Sequence, residues 1–130
     1  MTVGREPSEL TVISKTKDLL KYILSVSENS PKKYRFTLTG RLINSVSDAL
    51  ENLILANEEK LAGDSCGGKR KEFQHSALAH FKVTDAFAMS ARECGCITPR
   101  QYEVMSSMLY DCIRLTAGWI KSDRQRREKQ

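Results

Sequence analysis

The sequence predicts an all-α protein, an antiparallel up-down-up-down four-helix bundle in one domain spanning residues 1–130. Three observations carry this. Apolar residues recur at three- and four-residue spacing in four separate stretches. No stretch alternates with the two-residue period of a strand. The connections between the first and second stretches and between the third and fourth are short, which makes those pairs antiparallel.

The first helix is expected over about 8–27. Ser8 follows Pro7 and can cap it, and Val12, Ile13, Leu19, Leu20, Ile23, Leu24 and Val26 form its apolar arc. Glu28, Asn29 and Ser30 end it. Ser30-Pro31 then starts a second helix, expected to run unbroken over about 31–62. Its inward arc reads Phe36, Leu38, Leu42, Ile43, Val46, Ala49, Leu50, Leu53, Ile54 and Leu61. Lys32, Lys33, Arg35 and Arg41 crowd its first turns, where the helix dipole opposes positive charge. Something other than helix stability keeps them there.

The run from Gly63 to Gly68 is a flexible break. A third helix follows, over about 71–94, with Phe73, Ala77, Phe81, Thr84, Phe87, Ala88 and Ala91 on one arc. Leu78, Ala79, Ala86 and Met89 lie on the other side, a second apolar surface suited to a neighbouring subunit. Gly95 can end the helix in a left-handed conformation. The fourth helix, over about 98–126, has Thr98 as cap, Pro99 in the first helical position and Gln101 to close a capping box. Met105, Leu109, Cys112, Thr116 and Trp119 lie on its apolar arc, and Arg100, Glu103, Asp111, Arg114, Lys121 and Arg124 lie opposite.

The formal net charge of +5 favours an anionic partner, while 16 acidic residues give the surface a mixed character. No apolar run approaches the length of a membrane span and the N-terminus has no secretory core, so a soluble, cytoplasmic protein is expected. Cys66, Cys94, Cys96 and Cys112 lack the paired spacing of a zinc ribbon, and reduced thiols are expected, with Cys112 in the core. Glu72-x-x-His75 matches one element of a di-iron carboxylate site, but such a site needs two elements and two more glutamates. His80 falls on the buried arc and reads as a neutral core histidine. No phosphate loop or nucleophile elbow is present. Neither an enzyme nor a cofactor has residues to stand on.

The basic clusters remain as candidates for contact with phosphates: Lys32, Lys33, Arg35 and Arg41; Lys69, Arg70 and Lys71; and Arg100, Arg114, Lys121 and Arg124. In an alternating bundle the starts of the second and fourth helices share one end, bringing Arg100 near Lys32 and Lys33. A merely solvated face, balanced by Glu103 and Asp111, is the competing reading.

Two segments resemble a known family. Ile97-Thr98-Pro99-Arg100-Gln101-Tyr102 through Ala117-Gly118-Trp119-Ile120-Lys121 is similar to the last helix of the accessory variability determinants of diversity-generating retroelements. Tyr22-Ile23-Leu24 through Ser30-Pro31-Lys32-Lys33-Tyr34-Arg35-Phe36 resembles that family's first helix junction. The likeness spans about residues 15 to 121, within a superfamily that includes the four-helix-bundle proteins encoded in intervening sequences of ribosomal RNA. It implies a homopentameric barrel of bundles that binds RNA and DNA and associates with the element's reverse transcriptase during mutagenic copying. By position, Lys32 and Lys33 match the family's basic pair, and Arg114 and Lys121 lie in the matching final helix. The third helix departs from the family's more basic version, with Lys82 and Arg92 set among Asp85 and Glu93. A structural protein-interaction bundle of the intervening-sequence type is the alternative.

Overall fold

The protein is described by a computed structural model covering residues 7–61 and 68–129, with side chains described from residue 11. The Ser8 cap, the expected end of the second helix at Ala62, and the loop containing Cys66 lie outside the described residues. Among those described there are four long α-helices and no strand: α1 (Pro7–Ser27), α2 (Gly40–Glu58), α3 (Gly68–Glu93) and α4 (Pro99–Glu128). Between α1 and α2 stand a single 3-10 turn (Lys32–Tyr34) and a π turn (Arg35–Thr39).

Each helix packs on its neighbours in the chain, and α4 closes against α1. Cross-links fix the directions. Ser45 meets Thr84, Asn52 meets Ser76, and the Glu59 carbonyl accepts from Arg70, so α2 and α3 run antiparallel. Arg70 pairs with Asp123 while Arg92 stacks over Tyr102, so α3 and α4 do the same. The Ser30 hydroxyl donates to the Cys96 carbonyl at 3.0 Å, tying the two short turns together at one end. The up-down-up-down order follows.

The core is built from the expected arcs. Val12, Leu19, Ile23, Leu42, Val46, Leu53, Phe81, Met105, Leu109, Cys112 and Trp119 are all buried. At roughly 1.5–3 kcal/mol for each large apolar side chain, this burial is the main force holding four helices whose isolated stability would be marginal. Helix ends follow local chemistry. Gly95, at φ +79°, closes α3 in a Schellman motif, with Gly95 N–H donating to Arg92 and Cys96 N–H to Ala91. Thr98 and Gln101 form the full capping box, and Pro99 follows it.

The second helix corrects the sequence expectation. It is not continuous from residue 31, and α2 ends at Glu58. The π turn adds a residue to the circuit and re-phases the wheel ahead of Gly40. Leu42, Val46, Ala49 and Leu53 face the core as expected, yet two residues of the expected inward arc are exposed, Phe36 at 85% and Ile54 at 41%. Gly40 permits the turn: a Cβ there would stand 2.5 Å from the Arg35 carbonyl oxygen. No side chain larger than hydrogen fits without moving backbone.

Candidate nucleic-acid interface

The structure sorts the candidate basic residues onto two ends and a middle. Lys32 and Lys33 stand on the 3-10 turn, Arg35 on the π turn and Arg41 in the first turn of α2, all exposed. From Asn29 to Ser47 the chain contains no acidic residue. None of the four has a carboxylate within 4 Å among the described residues. Tyr34, which Lys33 covers at 5.1 Å, packs on the core and anchors the segment. Arg41 lies over the Phe87 ring of α3 at 5.8 Å, which steers its guanidinium across the α2–α3 seam.

The Ser30–Cys96 hydrogen bond places this segment beside the turn that begins α4, the end on which Arg100 stands. Arg100 is 81% exposed, and its ion pair with Glu103, at 3.4 Å, is open to solvent. Such a pair contributes a few tenths of a kcal/mol and leaves the cation available. Arg92, near the end of α3 and exposed over Tyr102, joins the same end. Burial pushes the Cys96 thiol up, aided by Cys94, while the Thr39 hydroxyl and the Lys33 ammonium act in the opposite direction.

Lys69, Lys71, Lys121 and Arg124 are exposed at the opposite end. Arg100 and Lys121 are separated by 21 residues of one helix, roughly 30 Å at the α-helical rise. The basic residues therefore do not form one patch. Arg114 stands between, paired with Asp111 at 3.6 Å.

Arg70 must be removed from the surface set. It is 6% exposed and points inward, its Nε and Nη2 donating to the two carboxylate oxygens of Asp123 at 2.6 and 3.1 Å. Its Nη1 donates to the Glu59 carbonyl at 3.0 Å, and the guanidinium lies over Trp119. Gln74 donates to Asp123 at 2.8 Å, and Arg126 stands 3.5 Å from the same carboxylate. Asp123 and Gln74 are fully buried. This network binds the end of α2, the start of α3 and the end of α4, and it consumes the arginine that the Lys-Arg-Lys run offers.

His80 also differs from expectation. It is half-buried in the α2–α3 seam, not in the core, with Nδ1 2.8 Å from the Ser76 carbonyl oxygen and Nε2 3.8 Å from Asp48. The short contact to a carbonyl requires Nδ1 to carry a proton and donate. Cys112 is buried, with its thiol 3.6 Å from Thr16 and raised by burial to about 11. Among the described residues no three metal-ligating side chains cluster, and no helix is long and apolar enough to cross a membrane.

Beside the basic end, the α2–α3 seam opens into a groove of about 460 Å³, lined by Phe36, Arg41, Asn44, Asp48, His80 and Phe87 among others. Ahead of Leu24 and Ile54, Phe36 is the most exposed of the residues that periodicity misplaced. Glycine in what would be the helix interior, four positions after it, was the available signal that the helix is not uniform there.

No protein-family model matches the chain, and no curated protein matches it. Among solved structures it is similar to a protein of unknown function from the S23 ribosomal protein family of Bacteroides thetaiotaomicron. The two align with a TM-score of 0.75 at 16% identity, over 88% of this chain and 98% of the other. At that identity the likeness establishes the fold.

Proposed function

We propose that this chain is a non-enzymatic nucleic-acid-binding bundle that serves a retroelement reverse transcriptase as an accessory factor and assembles with copies of itself, in the pentameric form its resemblance implies. The observation that carries the binding is the segment from Asn29 to Ser47. It presents four exposed cations and no acid, next to Arg92 and Arg100. Cations that meet no carboxylate among the described residues, at a helix start where the dipole disfavours them, are suited to a polyanion. The reverse-transcriptase partner rests on the two resembling segments alone.

Salt dependence tests the reading. Affinity for RNA and DNA falls steeply with added salt, and replacing Lys32, Lys33 and Arg35 by glutamine makes the log–log slope shallower by about 2 to 3. An unchanged slope removes these residues from the site. Native mass spectrometry, with and without a structured RNA, tests the assembly.

A second reading is favoured by the exposed apolar residues Ile54, Leu55, Met89 and Tyr110 and by the S23-family fold likeness: a protein-interaction bundle whose charges only maintain solubility. An intact oligomer that binds no polynucleotide at low salt would select it.

A further inference from the structure

We propose that the groove between α2 and α3 receives an unstacked base of a single-stranded polynucleotide, with Phe36 as the stacking platform and Lys32, Lys33 and Arg35 on the adjoining phosphates. The inference rests on the nucleic-acid reading above and makes it specific to single strands.

Phe36 is the most exposed large apolar side chain described, at 85%, and is flanked in sequence by Tyr34-Arg35 and two lysines. An aromatic ring held in water forfeits the stabilisation that burial would give it. The π turn that holds it is fixed in turn by Gly40, whose close approach to the Arg35 carbonyl leaves that backbone little freedom. Aromatic rings interleaved with cations are the common device for single strands, because every base has a π face and every linkage a phosphate.

The groove supplies the remaining groups. Its volume lies within the range of roughly 300–1,000 Å³ usual for small-molecule clefts. Phe36 and Phe87 provide apolar wall, and Arg41, already over Phe87, offers a second cationic face. Asn44, Asp48 and His80 line it with hydrogen-bonding groups suited to a base edge. Asp48 would repel a phosphate, yet it can accept from the exocyclic amine of a base. A base in the groove and phosphates on the 32–35 segment put each group against its complement. A second copy docked by a two-fold axis would instead set these exposed cations against their own counterparts. Duplex nucleic acid, its bases stacked internally, can use the cations but not the ring.

The test compares Phe36→Ala and Phe36→Trp with the wild type, using fluorescence anisotropy on labelled oligo(dT) and on a labelled duplex of equal length. Phe36→Ala should weaken oligo(dT) binding by roughly 5- to 100-fold, leaving duplex affinity and both salt slopes in place. Phe36→Trp should retain affinity, and its added indole emission should be quenched by oligo(dT). Equal affinity of Phe36→Ala and wild type for oligo(dT) overturns the platform and leaves the electrostatic reading standing. So does a changed oligomer mass for Phe36→Ala by native mass spectrometry, which would assign the ring to an interface between copies. A wild type that binds neither probe at low salt removes both proposals. The ring is exposed, so its removal leaves the core intact, and thermal melts of each variant check this.

Discussion

The two ends of the bundle use arginine in opposite ways. At the end where α3 starts and α4 finishes, Arg70 is buried, doubly hydrogen-bonded to Asp123 and stacked on Trp119. At the end where α2 and α4 start, Arg35 and Arg41 stand exposed in a stretch that contains no carboxylate. Both sit in short basic runs, Lys-Arg-Lys and Lys-Lys-Tyr-Arg. The difference lies not in the runs but in what the fold places opposite them, in one case a carboxylate 53 residues away. A basic cluster read from sequence is therefore a candidate for binding only after its cross-fold partners are known.

The sharpest break in that comparison is Asp123→Ala. Removing one partner of a buried ion pair strips Arg70 of both its Asp123 hydrogen bonds, at a cost of about 3–5 kcal/mol. A fall in melting temperature of roughly 10 °C or more should follow. Replacing both partners, Arg70→Met with Asp123→Leu, should recover most of it, because the penalty belongs to the stranded charge more than to the lost pair. A double variant as unstable as Asp123→Ala would show that the network is needed for geometry, through Glu59 and Gln74, and not only for charge balance.

Between the ends the core must be dry for them to act independently, and Cys112 reports on it. Its thiol is raised from 9.0 to about 11 by burial. The folded state thus holds its proton where the unfolded chain releases it. Stability from this group is complete below about pH 9 and declines as pH rises toward 11, by up to about 2–3 kcal/mol. Cys96 acts in the same direction. Denaturation midpoints measured across that window should fall for the wild type and fall less for Cys112→Ala. Identical slopes would mean that water reaches the seam beside Thr16.

Gly40→Ala attacks the exposed end from the inside. The new methyl meets the Arg35 carbonyl oxygen at 2.5 Å, so the π turn must shift, at a cost of about 1–3 kcal/mol. Chemical denaturation gives the magnitude. A variant as stable as the wild type would show that the segment from Arg35 to Thr39 rearranges freely, and that the outward setting of Phe36 is not enforced.

How far this division could be read from the sequence depends on the element. The four helices, the Gly95 stop and the Thr98–Gln101 box were legible because each is a local pattern with a local cause. The π turn was not, since the periodicity on either side of it is helical and only Gly40 marks the break. The buried network was half-legible. Asp123 lies one step beyond Cys112, Thr116 and Trp119 on the same arc, and Gln74 and Arg70 extend the arc of Ala77 and Phe81. A carboxylate on an apolar arc announces a partner without saying which of several cations supplies it. That choice is made by the antiparallel register of α3 and α4, a property of the assembled bundle.

The smallest stability effect expected is also the one that best separates the two ends. Replacing Lys32, Lys33 and Arg35 by glutamine removes three charges yet breaks no ion pair among the described residues, and these side chains are exposed. The loss should stay within about 0.5 kcal/mol, the range of surface substitutions away from structural features. Relief of three cations ahead of α2 can even raise stability slightly, since the helix start favours negative charge. The same charge removed at Arg70 would cost several times more. If urea denaturation shows the triple variant losing 2 kcal/mol or more, its cations are holding the 3-10 and π turns together, and the contrast between a structural arginine end and a free basic end fails.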